Sequence, residues 1–349
     1  MTTTERAQEH VPNPEQILQI GMGFWASKTL LSAVELELFT LLGTGGHTGA
    51  EIAGKLDLHE RSREDFLDAL VALGLLDRTG NGLGAVYSNT PDTAIFLDKS
   101  SPTYLGGILE MANARLYGFW GSLTEALHTG LPQNEIKSGA PGFFEGIYAD
   151  PERLRVFLDG MEGLQLGAFT AVCATLDLSS HRRFCDVGGA NGTLATMIAA
   201  ANPQLTGVSF DLPPVAPVAE ANLARHGVGD RVRAVAGDFF ADDFPPADVY
   251  FMGNILHDWS EAEKQTLIDK AYAGLSSGGM LVAIENIIDD DRRTNAFGLL
   301  MSLNMLIEVP GGFDYTGAQF DQWARNAGFA RTEVRHLAGP TSAAIAYTT

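Results

Sequence analysis

The run Phe184-Cys185-Asp186-Val187 passes directly into Gly188-Gly189-Ala190-Asn191-Gly192 and then into Thr193-Leu194-Ala195-Thr196-Met197-Ile198-Ala199-Ala200-Ala201, which Asn202-Pro203 brings to a stop. A short apolar run, a glycine-rich loop and an apolar helix, in that order, make one strand–loop–helix unit of a parallel sheet. In such sheets ligands sit beyond the carboxyl ends of the strands, where glycine lets a bound molecule approach the backbone. The loop therefore reads as a ligand cradle. A dinucleotide is the wrong occupant, because G-x-G-x-x-G counted from Gly188 requires glycine where the chain has Ala190 and Thr193. Asp186, beside the loop, would repel a pyrophosphate and suits a cationic, amine-bearing ligand.

Downstream the texture repeats. Apolar runs at 206–210, 232–235, 247–252 and 280–284 alternate with helix-length segments, which predicts an α/β region with a parallel sheet of β-α-β units. The second run ends at Asp211-Leu212-Pro213, where a carboxylate can accept from both hydroxyls of a ribose. The third leads to Gly237-Asp238-Phe239-Phe240, offering a carboxylate to an exocyclic amine and a ring face to a purine. One acid at a strand end is commonly a cap or turn residue. Three in order, at successive strand tips, outline a nucleoside with an ammonium-bearing tail. The fourth run ends in Gly253-Asn254-Ile255-Leu256-His257-Asp258-Trp259, before a helix opening at Ser260 with Glu261 and Glu263 in its first turn. His257 then stands at the mouth of the same crevice. It either takes the proton of a hydroxyl attacking an electrophilic methyl group, or it is a structural histidine bonded to a neighbouring helix.

Composition bounds the rest. With 45% hydrophobic and 19% charged residues the chain is a folded protein with material for one large or two medium cores. Its 23 basic against 43 acidic residues, a net charge of −20, leave no basic patch for nucleic acid. No apolar run reaches the length of a membrane span and residues 1–10 lack a basic-then-apolar leader, so the expected address is cytoplasmic. Cys173 and Cys185 are too few for a disulfide framework and read as packing residues.

Upstream, a polar arm with Pro12 and Pro14 precedes a helix predicted over 15–42, begun by Ile17, Ile20, Phe24 and Trp25. Its second half, Leu30 to Phe39, is apolar on more than one face, which predicts enclosure between subunits. Thr48 caps a helix over 49–56, Ser62 lies near the start of one over 63–75, and Asn81-Gly82 marks a tight turn between Leu76 and Val86-Tyr87. This is a winged-helix outline. Its would-be recognition helix carries Glu60, Glu64, Asp65 and Asp68 against two arginines, so a dimerising module is expected and DNA binding is not. Helical spacing resumes from Tyr104 to Leu178, interrupted at Ser138-Gly139-Ala140-Pro141-Gly142. Asp289-Asp290-Asp291 reads as a solvated turn.

With DVGGANG at 186–192, FDLP at 210–213, GDFF at 237–240 and LHDW at 256–259, the sequence resembles the S-adenosylmethionine-dependent methyltransferases of Rossmann-like, class I fold. More narrowly, it is similar to the small-molecule O-methyltransferases typified by the plant caffeic acid and animal acetylserotonin enzymes. The resemblance covers nearly the whole chain and implies an all-helical, winged-helix dimerisation domain at 1–105, linking helices at 106–178 and a methyltransferase domain at 179–349. It implies S-adenosyl-L-methionine as co-substrate, with Asp186 and Gly188 by its methionine part, Asp211 and Leu212 at the ribose, and Asp238 and Phe239 at the adenine. Asn254 stands where many plant members have a cofactor-touching lysine, and His257 fills the general-base position. Asn304 and Glu308 fall where relatives place groups that orient substrate or base.

Phe144, Phe157 and Met161 are the expected pocket walls, joined by Phe24 or Trp25 of the partner subunit. The implied partners are a small-molecule acceptor and a second copy of the chain, with neither nucleic acid nor membrane. No metal is expected, since residues 300–316 hold no histidine to pair with His257 as the metal-using, carbon-methylating branch requires. The leading expectation is base-assisted O-methylation of a small aromatic or hydroxylated metabolite. The alternatives are S-methylation of a thiol or thioether such as 4-methylthio-2-hydroxybutyrate, C-methylation of a 2-oxo acid, and a winged-helix regulator with a cofactor-sensing domain.

Overall fold

In the computed structural model, which describes residues 12–139 and 143–349, the chain parts into two units between Asn113 and Ala114. The helix expected over 15–42 is three: α1 (Glu15–Gly21), α2 (Gly23–Glu35) and α3 (Leu38–Leu42). The second break falls where Glu37 takes φ +55°, a left-handed conformation that regular helix does not tolerate. The break re-aims the apolar residues. Leu31, Val34, Leu38, Phe39 and Leu42 enter this unit's own core with Ile52, Leu67 and Tyr87, which corrects the expectation that they lie between subunits. Exposed instead is the first half, where Ile17, Leu18, Ile20, Phe24 and Trp25 face outward and α1 buries nothing.

Next come β1 (Gly46–Thr48) and α4 (Gly49–Leu56), capped by Thr48 in a reciprocal box with Glu51. The following helix, α5 (Glu60–Ala72), begins earlier than expected because His59, not Ser62, is its N-cap and accepts the Arg61 N–H. The strands β2 (Leu76–Thr79) and β3 (Val86–Asn89) pair antiparallel with Thr79 opposite Val86. The turn therefore spans residues 80–85 instead of resting on Asn81-Gly82 alone, with Gly80 and Gly82 both at positive φ. A three-stranded sheet of order β1-β3-β2 results, followed by α6 (Pro91–Phe96) and α7 (Gly106–Met111).

The second unit opens with α8 (Tyr117–Phe119), α9 (Leu123–Thr129), α10 (Phe143–Tyr148) and the long α11 (Pro151–Thr175). The expected alternation then appears as β4 (Arg183–Val187), α12 (Thr193–Ala201), β5 (Thr206–Asp211), α13 (Ala216–Arg225), β6 (Val232–Ala236) and β7 (Ala247–Gly253). It continues with α14 (Glu261–Gly274), β8 (Leu275–Glu285), α15 (Ala296–Glu308) and α16 (Gly317–Ala327), and closes on β9 (Arg331–Ala338) and β10 (Thr341–Tyr347). The strand order is β6-β5-β4-β7-β8-β10-β9. The first five are parallel, whereas β10 runs antiparallel to both neighbours, a pair that periodicity did not announce.

Burial on both faces explains the continuous apolar runs of the parallel strands. Along β7, Val249 and Phe251 join the cluster with Phe169 and Ile198 of α11 and α12, while Tyr250 and Met252 join that with Leu267 and Phe320 of α14 and α16. All four strand residues are fully buried. The chain leaves β4 for β5 and β6 on one side and returns to β7 on the other. This order reversal opens a crevice at the carboxyl ends of β4 and β7.

Candidate active site

The loop after β4 is folded onto the end of β5: Gly188 N–H donates to the Phe210 carbonyl at 2.8 Å, and Ala190 N–H to Asp211 Oδ2 at 2.8 Å. Gly188 has φ +69°, and a Cβ there would lie 2.2 Å from Ile255 Cδ1, so only glycine lets the loop close against the β7 end. Glu162 of α11 clamps the loop from the other side, accepting Asn191 Nδ2 at 2.7 Å and Thr193 Oγ1 at 2.9 Å.

The two acids expected at the first strand ends come together there. Asp186 is buried with Oδ2 lacking a hydrogen-bond partner among the described residues, and burial, then the charge of Asp211, push it up to about 7. Asp211 rises to about 6 through burial, although Ala190 and Leu212 N–H groups donate to it. Two buried carboxylates, one of them with an oxygen left unpartnered among the described residues, ask for a cation. Asp238 lies on the exposed rim, where its Oδ1 accepts the Phe240 N–H at 2.8 Å. The adjacent ring of Phe239 packs edge-on against Phe240 and Trp259, with centroids 5.0 and 5.7 Å away.

His257 sits in the short turn Leu256–Asp258 beyond β7 and is buried. Its Nε2 is 3.5 Å from Asp258 Oδ1 and its Nδ1 3.5 Å from Asp314 Oδ1, long for hydrogen bonds and close for ion pairs. Burial alone would lower its proton affinity, but Asp258, Asp314 and Glu285 outweigh it and raise the imidazole to about 10. Burial raises Asp258 too, to about 7, against the pull of His257. Beneath them Lys264 of α14, fully buried, donates to the Trp259 carbonyl and lies 3.5 Å from the Phe313 ring centroid.

The remaining expected residues divide. Asn254, at φ +51°, forms the tip between β7 and His257. Phe157 and Met161 lie half-buried on α11, and the Phe144 side chain falls outside the described residues. Asn304 accepts the Trp120 indole N–H at 2.9 Å. Glu308 is turned to Arg115, 3.2 Å away, whose guanidinium also forks onto Glu135.

Asp314 is the acid facing His257 Nδ1, and the sequence reading missed it because it lies in the Gly311-Gly312-Phe313-Asp314 loop, with no strand or helix pattern to mark it. Glu285 was legible by the rule that found Asp186 and Asp211, an acid closing a parallel strand. Its Oε1 takes the Ile255 and His257 N–H groups at 3.1 and 3.2 Å. Tyr148 was missed as well. Its hydroxyl is raised by burial and by the charges of Asp211 and Asp258, which links the two halves of the crevice.

The crevice fits a positively charged sulfur nucleoside: a glycine loop without room for a Cβ at Gly188, an orphaned buried carboxylate oxygen on Asp186, and aromatic rings at the rim. A seven-stranded sheet of this order with that site defines an S-adenosylmethionine-dependent methyltransferase of class I fold. An O-methyltransferase domain model matches residues 120–330, and an O-methyltransferase dimerisation domain model matches residues 18–99. The chain is 40% identical over 336 residues to the tetracenomycin polyketide synthesis 8-O-methyl transferase TcmO of Streptomyces glaucescens, covering 96% of this chain and 97% of that one. It is 36% identical over 306 residues to the N,N-dimethyltransferase OxyT of Streptomyces rimosus, covering 87% and 86%. The crystal structure of human N-acetylserotonin methyltransferase in complex with S-adenosylmethionine superposes with a TM-score of 0.89 at 28% identity, over 98% of this chain and 99% of the other. The chain belongs to the O-methyltransferase family whose catalytic domain follows a dimerisation domain.

Proposed function

We propose that this enzyme methylates a hydroxyl of a polyketide-type aromatic molecule, with His257 as general base, and works as a homodimer joined through residues 1–105, with 106–178 lining the acceptor side and 179–349 the cofactor side. The observation that carries the reading is the buried imidazole of His257 beyond β7, held between the carboxylates of Asp258 and Asp314. Bound S-adenosylmethionine supplies a methyl carbon activated by its sulfonium. Asp186 and the Gly188 loop would hold the methionine part, Asp211 with the Leu212 backbone the ribose, Asp238 and Phe239 the adenine, and Asn254 would also touch the cofactor. Phe144, Phe157, Met161 and Asn304 wall the acceptor, and Glu308 braces α15 through Arg115. His257 takes the hydroxyl proton, and Asp314 fixes the ring and stabilises the imidazolium that forms.

Similarity to TcmO supports a polyketide hydroxyl as acceptor. Similarity to OxyT favours nitrogen as a second reading, since an amine also loses a proton, whereas a thioether has none to lose. The test incubates the purified protein with methyl-labelled cofactor and polycyclic phenols, aryl amines, thiols, thioethers and 2-oxo acids, scoring methylated products. Phenol ethers are expected. His257→Ala should lower kcat by about 10²–10⁴-fold while S-adenosylhomocysteine still binds. Asp314→Asn removes a carboxylate that favours the imidazolium, so the acid limb of the rate profile should move to lower pH. Turnover by His257→Ala close to the parent rate would end the base assignment.

A further inference from the structure

The loop after β6 turns three carbonyls toward a single ammonium. Lys270 Nζ, on α14, donates to the Phe239 carbonyl at 2.7 Å, to that of Phe240 at 3.1 Å and to that of Asp242. The loop's own donors are used internally: Asp238 N–H to Asp242 Oδ2 at 2.9 Å, Phe240 N–H to Asp238 Oδ1 at 2.8 Å, and Asp242 N–H to the Asp238 carbonyl at 2.7 Å. This closes a tight turn and leaves its carbonyls in need of donors. An ammonium has three N–H groups and no acceptor, which matches the demand.

A second contact reaches the loop from the turn that leads into this helix. Trp259, just before α14, meets the rings of Phe239 and Phe240 edge-on, with centroids 5.7 and 4.6 Å away. Lys270 also lies 5.3 Å from the Phe244 ring centroid, at the far end of the loop. The ammonium thus holds the backbone while the indole sets the ring.

We infer that Lys270 is a positioning residue for the cofactor's purine: by pinning the backbone of residues 239–242 it fixes where the Phe239 ring and the Asp238 carboxylate stand, without touching the ligand. The inference rests on the proposed adenine role of Asp238 and Phe239. It makes base recognition depend on a lysine some thirty residues downstream, on the helix that also carries Lys264 beneath His257.

The test measures calorimetric binding of S-adenosylhomocysteine and of its inosine analogue to the full-length protein and to Lys270→Met, Lys270→Arg, Asp238→Ala and Phe239→Ala. Lys270→Met should weaken S-adenosylhomocysteine by about tenfold and narrow the preference for adenine over hypoxanthine by about threefold or more, with KM for S-adenosylmethionine rising in step and kcat affected less. Lys270→Arg should recover most of the loss, because a guanidinium also donates to several carbonyls. Parent affinity and parent base preference in Lys270→Met overturn the inference, as does an equal loss for both nucleosides. Should that variant fail to fold, Lys270→Gln carries the same comparison. If Asp238→Ala and Phe239→Ala leave the base preference intact, the adenine assignment itself falls. If they flatten it and the Lys270 variants do not, only the role of Lys270 is lost.

Discussion

Asp186 and Asp211 are buried acids whose proton affinity is raised, and the sign of that shift makes a prediction. A carboxyl raised from its ordinary value near 3.8 to about 7, as Asp186 is, or to about 6, as Asp211 is, contributes stability below the ordinary value and loses it as pH rises through the raised one. At neutral pH and above, the pair carries charge at a cost that a bound cation offsets. Binding of the cofactor tail, with its sulfonium and ammonium charges, should therefore expel protons, and affinity should fall as pH drops through 7 toward 6. Calorimetry in buffers of different ionisation enthalpy should show proton release, with S-adenosylmethionine affinity about tenfold weaker at about pH 5.5 than at about pH 8. S-adenosylhomocysteine, which lacks the sulfonium charge, should lose less. Equal pH dependence of the two would detach these acids from cofactor charge. His257 is raised as well, so it stays protonated at neutrality and turnover should climb with pH through an alkaline-shifted acid limb.

The element that carries most of the site is the β4–loop–α12 unit, and it tolerates little. A Cβ on Gly189 would lie 2.3 Å from Ser209 Oγ and 3.1 Å from both the backbone oxygen and Oδ2 of Asp186. The serine can rotate, but the β4 backbone is paired on both sides and cannot. Gly189→Ala should cost about 1–3 kcal/mol of stability and weaken the cofactor further, read by thermal unfolding with and without S-adenosylhomocysteine. Gly54 is the control: it lies in α4 with nothing within 4 Å of its would-be Cβ, so Gly54→Ala should stabilise by about 0.5–1 kcal/mol. At this scale the sequence spoke clearly, because burial on both faces forces short apolar runs, and glycine has to stand where the loop closes. Helix α12 matches its expected bounds, Thr193 to Ala201. Legibility failed where structure depends on distant partners. Residues 30–39 look too apolar for one subunit until the left-handed Glu37 turns them into the unit's own core. The edge strand β9 hides because its charged, half-exposed residues lack clean alternation. Asp314 meets His257 across a gap in sequence that no local spacing encodes.

For the whole molecule the telling feature is which apolar residues stay outside. Leu83, 75% exposed in the loop between β2 and β3, stands by itself and asks for nothing. Ile17 and Ile20 are as exposed, at 74% and 73%, but they share α1 with Leu18 and continue into Phe24 and Trp25 on α2. A helix that buries none of its own residues has too little to hold it in an isolated chain, and the dimerisation domain model begins at residue 18, within it. Covering one isoleucine is worth about 1.5–3 kcal/mol, so charging Ile17 and Ile20 on each of two copies should raise the dimer dissociation constant by about 10⁴-fold or more. Ile17→Glu/Ile20→Glu should therefore sediment as a monomer at concentrations where the parent chain is dimeric, while Leu83→Glu remains a dimer. A dimer that survives the double substitution would move the interface away from α1. If the monomer also loses turnover but keeps its affinity for S-adenosylhomocysteine, assembly serves the acceptor side and not the nucleoside crevice, which lies within residues 114–349.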